Sequence, residues 1–99
     1  MRQSPPASAT TLAQVTVVEA EGCHFCADAS DALAAFATRY PLSITTIDAR
    51  DPAGIELMQQ HRAAMSPLVL VDGSFFSQGR LPRGRFQRLL EVRSAAVSR

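Results

Sequence analysis

Apolar and polar positions in the first part of the chain follow two different periods, which predict a strand followed by a helix. Residues 14–20 hold three valines in a short β-branched run, typical of a strand buried on at least one face. Residues 24–40 carry apolar side chains at helical spacings of three and four: Cys26, Ala29, Leu33, Phe36 and Tyr40. Cys26 therefore belongs to the predicted buried stripe, and Cys23, just before the first helical turn, is expected to be the more exposed cysteine.

The next segment repeats the order of strand and helix. Pro41 is expected to end the first helix, and residues 42–48, with apolar residues among threonines, predict a second strand. Asp51 as the N-cap and Pro52 at the first helical position predict a second helix, which extends to about residue 62. The expected core contacts of this helix are Ile55 and Met58. Because two strands joined by a crossover helix usually pair in parallel, we expect the first two strands to be parallel neighbours.

The last third of the chain predicts a hairpin and a final helix. Residues 68–71 are the most strand-like run, Asp72-Gly73 is a strong hairpin turn, and residues 74–77 form the returning strand. Pro82 fits the first turn of a last helix that extends to about residue 96. The apolar stripe predicted for this helix comprises Phe86, Leu89, Leu90 and Val97. The order βαβαββα predicts an α/β fold.

Length and composition indicate how these elements are organised. The chain has 99 residues, 46% of them apolar, which is enough for one small core, and we expect a single domain over residues 13–99. Residues 1–12 are rich in Ser, Pro, Ala and Thr and show no apolar period, which predicts a flexible tail. The sequence shows neither an apolar run long enough to span a membrane nor the apolar core of a signal peptide. We therefore expect a cytoplasmic protein, and we expect it to be a monomer.

The charges are unevenly distributed along the chain. The formal net charge of +1 points to neither nucleic acid nor an acidic membrane surface as a partner. All ten basic residues are arginine, and six of them fall in the last twenty positions: Arg80, Arg83, Arg85, Arg88, Arg93 and Arg99. We interpret this basic end as the charged face of a surface helix, with a nucleic-acid or membrane patch as the alternative. We expect no nucleic-acid or membrane partner.

The two cysteines carry the clearest chemical signal. Cys23 and Cys26 are three positions apart at the start of a predicted helix, so their sulfurs can come within bonding reach. The helix N-terminus favours a thiolate at Cys23 by roughly 0.3–1 kcal/mol, and by up to about 2 kcal/mol when partly buried. In a reducing compartment such a pair is catalytic or metal-binding rather than a structural staple. A structural zinc site needs four ligands and would have to be shared between two chains, so we expect no metal.

Over about residues 14–97 the chain resembles the thioredoxin fold, in the compact form of glutaredoxins and glutaredoxin-like redoxins. The resemblance rests on the segment Gly22-Cys23-His24-Phe25-Cys26, on Ser66-Pro67 just before a core strand, and on the Asp72-Gly73 turn. It implies a four-stranded mixed sheet flanked by three helices. It also implies that Cys23 is the nucleophile, that Cys26 is the resolving thiol and that the bond before Pro67 is cis. A cis bond would turn the Ser66 backbone towards the Cys23 sulfur, where a substrate peptide could pair with it like a strand.

The chain departs from the family in three places. His24 and Phe25 stand between the cysteines, in place of the Pro-Tyr of dithiol glutaredoxins or the Gly-Pro of thioredoxins. The lysine that glutaredoxins commonly carry before the first cysteine is missing, since the chain has no lysine. The Gly-Gly segment that helps to hold glutathione is replaced by Gly79-Arg80. The electron source is therefore left open among glutathione, a thioredoxin-reductase-type flavoenzyme and another redoxin.

Several residues beside the cysteines are given candidate roles. His24 is the candidate for tuning the thiolate, with a plain surface residue as the alternative. Phe25 is expected to contact substrates or, alternatively, to cover the helix end, and Arg80 is expected to meet a substrate carboxylate. The substrate-binding set is Phe25, Ser66, Pro67, Gly79 and Arg80. Glu19 and Glu21 oppose a thiolate unless both are solvated, and one of them could instead take the proton from Cys26.

These residues predict a thiol-disulfide oxidoreductase that reduces disulfides in protein or small-molecule substrates through a mixed disulfide, without a bound cofactor. Glutathione is expected only as a possible electron donor. The alternative is a redox-sensing or zinc-bridged binding module on the same fold.

Overall fold

The computed structural model describes residues 12–97, with side chains up to Ser94, and forms an α/β fold. The predicted tail, apart from Leu12, and the side chain of Val97 lie outside the described residues. The elements follow the order β1 (Ala13–Glu19), α1 (His24–Ala37), β2 (Leu42–Asp48), α2 (Pro52–Gln60), β3 (Leu68–Val71), β4 (Ser74–Gln78) and α3 (Arg83–Val97). The predicted order βαβαββα is confirmed.

The four strands form one mixed sheet in the order β2-β1-β3-β4. β1 pairs in parallel with β2, with Val15 opposite Ile44, as expected for strands joined by a crossover helix. β1 also pairs antiparallel with β3, and β3 pairs antiparallel with β4. The predicted mixed sheet with three helices is thus confirmed.

The central strand β3 is buried on both faces of the sheet, whereas β1 is buried along one face and, on the other face, at Val18. One face packs against α1 and α3 in a cluster built from Ala13, Val15, Val17, Ala29, Ala32, Leu33, Phe36, Val69, Val71, Leu81, Phe86 and Leu90. The other face packs against α2 in a smaller cluster built from Val18, Leu68 and Leu70, with Leu57 and Met58 against it. Alternate residues of β1 and β3 serve opposite faces because side chains alternate along a strand. The sheet is therefore the middle layer between helices.

The core contact predicted at Ile55 is wrong, because this side chain is 44% exposed. The inner face of α2 carries Gly54, Leu57 and Met58 instead, of which Gly54 is buried and the other two are partly buried. A Cβ at Gly54 would collide with the carbonyl oxygen of Asp48, so the helix backbone lies directly against the end of β2. A face formed partly by glycine is not visible in a hydrophobic pattern.

Helix α1 ends three residues earlier than predicted. Thr38 is its C-cap, and the N–H groups of Arg39 and Tyr40 both donate to the Phe36 carbonyl in a tight turn. Pro41 disfavours helical conformation in the residue before it, which accounts for a turn at this point. Tyr40 nevertheless packs against the core.

Three arginines of α3 contact other parts of the protein. Arg83 forms an ion pair with Asp28 of α1 at 2.6 Å, and Arg93 forms one with Asp72 of the β3–β4 turn at 2.8 Å. Arg85 donates to a β4 carbonyl at 3.0 Å and lies 4.9 Å from the centre of the Phe76 ring. The charged face of α3 therefore joins this helix to α1 and to the hairpin. Among residues 12–97, no helix is long and apolar enough to cross a membrane.

Candidate active site

Cys23 is the N-cap residue of α1, and its sulfur accepts a hydrogen bond from the Cys26 N–H at 3.1 Å. The two sulfurs form a disulfide, and their Cα atoms are 5.1 Å apart. Cys26 is 4% exposed within the core stripe of α1, whereas Cys23 is half-buried. The predicted bonding reach and the predicted difference in exposure are both confirmed.

The Ser66-Pro67 segment approaches Cys23 through the Ser66 backbone. The peptide bond between them is cis, as the resemblance implied. The Ser66 carbonyl oxygen is 3.7 Å from the Cys23 sulfur. Pro67 is buried, and its carbonyl accepts a hydrogen bond from the Gly79 N–H at 3.0 Å. The structure thus brings Cys23, Ser66, Pro67 and Gly79 together.

The other predicted site residues lie around this centre. His24 and Phe25 occupy the first turn of α1, both exposed, with 41% of Phe25 accessible. Arg80 is exposed in the segment after β4. These positions agree with surface roles, and the roles themselves remain predictions.

A cleft of about 500 Å³ opens beside the cysteines. Its lining comprises Glu19, Ala20, Glu21, Gly22, Cys23, His24, Cys26, Ala27 and Ser30. The lining includes both cysteines and both carboxylates but none of the predicted substrate-binding residues. Cys23 therefore contributes to two separate surfaces, the cleft on one side and the Ser66 backbone on the other.

Arg50 carries a positive charge towards the cleft, and the sequence pattern gave no sign of this. It forms an ion pair with Glu21 at 3.3 Å and with Asp48 at 2.9 Å. The hydrogen bonds from the Arg50 side chain and N–H hold the pKa of the Asp48 carboxyl near 2, and Asp48 in turn raises the pKa of the Arg50 guanidinium. Because Arg50 pairs with Glu21, the negative charge of one of the two carboxylates expected to oppose a Cys23 thiolate is partly offset.

Gln78 and Met65 also belong to the surroundings of the site without having been predicted. The side-chain oxygen of Gln78 accepts hydrogen bonds from the N–H groups of Ala64 and Met65, at 2.7 and 3.0 Å. Met65 itself is 48% exposed and is an apolar neighbour of Ser66. Neither contact has a local sequence signal, since both depend on how β4 meets the loop before β3.

The positions of the two sulfurs are compatible with disulfide exchange. Within residues 12–97, no group of three or more His, Cys, Asp or Glu side chains is placed to hold a metal ion. A half-buried sulfur at a helix N-terminus has the setting in which a thiolate is favoured, and a second sulfur lies within reach to displace whatever binds to it.

Comparison with known proteins assigns the chain to no family, since no protein-family model and no curated protein matches it.

Proposed function

We propose that the protein is a thiol-disulfide oxidoreductase of thioredoxin fold, similar in size to glutaredoxins, that reduces disulfides in other proteins. The observation that carries the proposal is the position of the Cys23 sulfur. It lies at the N-terminus of α1, joined to the buried Cys26 and 3.7 Å from the carbonyl of Ser66. The order of the elements and the strand order β2-β1-β3-β4 support the fold assignment.

The proposed cycle starts from the reduced pair. The Cys23 thiolate attacks one sulfur of the substrate disulfide, a new bond forms to Cys23, and the other substrate sulfur leaves as a thiolate and takes up a proton. Cys26, once deprotonated, then attacks the Cys23 sulfur and expels the second substrate thiol. The substrate gains two electrons, and the protein is left with the Cys23–Cys26 disulfide. Two molecules of glutathione, a flavoenzyme or another redoxin would return the two electrons.

The roles of the two cysteines depend on their surroundings. Cys23 is the more accessible sulfur, and the helix N-terminus together with the Cys26 N–H favours its charged form. Acidity lowers the intrinsic nucleophilicity of a thiolate, so the larger benefit is to Cys23 as a leaving group, when a thiol of the electron donor attacks the donor sulfur in a mixed disulfide at Cys23. Cys26 is buried and is suited to the second step, in which its partner is already in place.

The substrate is proposed to be an extended segment of a protein. Within residues 12–97, no backbone N–H or carbonyl group is hydrogen-bonded to the backbone of Ser66. This backbone is therefore available for strand-like pairing with a substrate. Phe25 and Met65 offer exposed apolar surface near the sulfur, and Arg80 offers a guanidinium for a substrate carboxylate. A reducing compartment such as the cytoplasm would keep the pair ready for attack.

Two serine variants test the cycle with a peptide that contains a disulfide. Cys23→Ser is expected to abolish reduction, because no other accessible thiol starts the reaction. Cys26→Ser is expected to accumulate a mixed disulfide at Cys23, visible by mass as the protein plus one peptide thiol. Circular dichroism checks that both variants keep the fold. Full reductase activity in either variant would rule out the dithiol cycle.

A further inference from the structure

The end of β4 holds the loop that leads to the site. Gln78, the last residue of β4, is half-buried, and its side-chain oxygen accepts two successive backbone N–H groups, those of Ala64 and Met65. The two bonds measure 2.7 and 3.0 Å, and they share one acceptor. A single side chain therefore fixes the two residues that precede Ser66.

Gly79, the next residue, adds two further contacts to the same loop. Its N–H donates to the Pro67 carbonyl at 3.0 Å, and its lack of a side chain makes room for Met65. A Cβ at Gly79 would lie 3.0 Å from the Met65 methyl carbon, tighter than most real contacts, and its φ of +77° is one that residues with side chains rarely adopt. Ser66 is thus held from both sides, through residues 64 and 65 and through Pro67.

The bonds of Gln78 are local to this loop. Gln78 is not a member of either core cluster. Residues 61–67 contain no helix or strand, and Arg62 in this loop has a φ of +51°. Without the Gln78 oxygen, water would bind the two N–H groups, and residues 64 and 65 would lose this attachment to β4, while the Pro67–Gly79 hydrogen bond and the core contacts remained. The loss would therefore mainly affect the position of the Ser66 backbone, whose carbonyl faces the Cys23 sulfur.

We propose that Gln78 is a positioning residue for peptide substrates, because it holds residues 64 and 65 so that the Ser66 backbone stays in place beside Cys23. This inference rests on the proposed function. It implies a difference between two substrate classes. A disulfide in an extended peptide needs the Ser66 backbone in position, whereas a small flexible disulfide needs only the exposed sulfur.

Three variants of Gln78 distinguish the effects of side-chain length, of the oxygen acceptor and of side-chain size. Gln78→Leu removes the acceptor at similar size, Gln78→Asn keeps the amide but shortens it by one methylene, and Gln78→Glu keeps an oxygen at the same reach. The substrates are a disulfide-linked peptide and 2-hydroxyethyl disulfide. For the Leu and Asn variants we expect kcat/KM on the peptide to fall about tenfold, mainly through KM, as expected when one or two neutral hydrogen bonds are lost. The rate on the small disulfide should stay within about twofold, and the Glu variant should recover most of the peptide activity.

Amide hydrogen exchange provides a second readout that does not depend on activity. The N–H groups of Ala64 and Met65 should be protected in the wild type and should exchange faster in Gln78→Leu, while Val17 in the core keeps its protection. Equal losses on both substrates, unchanged peptide activity, or unchanged exchange at residues 64 and 65 would overturn the role of Gln78. A wild type that reduces neither disulfide would remove the proposed function and this role together, whereas an active wild type with an equally active Leu variant would remove only the role of Gln78.

Discussion

The Cys23 sulfur experiences opposing influences from its immediate neighbours. The Cys26 N–H at 3.1 Å and the N-terminus of α1 favour the thiolate, since both present positive charge to the sulfur. The Ser66 carbonyl oxygen at 3.7 Å favours the neutral thiol, because a thiolate facing an oxygen is repelled. Because these two influences oppose each other, charges at the edge of the site also affect the fraction of Cys23 that is present as thiolate.

Arg50 supplies a positive charge at the edge of the site, and a single substitution removes this charge. Arg50→Gln leaves Glu21 without its partner, and the added negative potential disfavours the Cys23 thiolate. Because both side chains are exposed, the effect should be small, and we expect alkylation of reduced Cys23 by iodoacetamide at pH 7 to slow by roughly 1.5- to 3-fold. The rate is followed by mass. Arg39→Gln, at the opposite end of α1, serves as the control and should alkylate like the wild type. A rate for Arg50→Gln equal to or above that of the wild type would contradict this account.

At the residue scale, features set by local periodicity were predictable from the sequence. The burial of Cys26 and the greater exposure of Cys23 came from the helical stripe, and both are confirmed. The pairing of Arg50 with Glu21 and the hydrogen bonds of Gln78 could not be predicted, because these partners lie in other loops and are brought near only by the packing of the sheet.

The junction between β2 and α2 is held by a short charged network. Asp48, the last residue of β2, accepts hydrogen bonds from the N–H and the guanidinium of Arg50, and these bonds lower its pKa from 3.8 to about 2. A carboxyl whose pKa is lower in the folded state stabilises that state when ionised. Its contribution is therefore complete above about pH 4 and is lost as the pH falls through about 2.

Asp48→Asn tests this pH dependence directly. We expect the variant to be slightly less stable than the wild type at neutral pH, because an amide binds Arg50 less strongly than a carboxylate does. The difference should shrink as the pH falls below about 4 and should vanish near pH 2. Denaturant unfolding across this range measures it, with Asp31→Asn on the exposed face of α1 as the control. A difference that stays constant with pH would show that the ionised carboxylate is not its cause.

At the scale of elements, order and type were predictable and packing distances were not. Strand β2, strand β3 and the start of α1 match the predicted bounds. Strand β4 is one residue longer than predicted, and its pairing with β3 shifts register between Val69 and Leu70. An alternating hydrophobic pattern does not reveal such an irregularity. The register nevertheless places Gln78 at the end of β4, opposite Leu68, where its side chain binds the loop before β3.

The whole molecule explains why distant segments form one site. β1 ends where β3 begins, because the two strands are antiparallel neighbours with Val18 opposite Leu68. β4 runs antiparallel to β3, so its last residue, Gln78, lies opposite Leu68 at the same end of the sheet. The segments after β1, before β3 and after β4 therefore converge, and they carry the cysteines, Ser66-Pro67 and Gly79. Any sequence with this strand order brings these three segments together, whereas the side-chain contacts between them depend on register.

The central claim is that Cys23 and Cys26 cycle between dithiol and disulfide in the range used by cellular reductases. The most direct test is the reduction potential of the pair in glutathione buffers, read by mass after alkylation, with zinc assayed in the same sample. We expect a value of about −270 to −200 mV, the range from thioredoxin to glutaredoxins, and no bound zinc. A value near about −120 mV would indicate an oxidant instead. Stoichiometric zinc, or thiols that never pair, would contradict the account and leave a binding module.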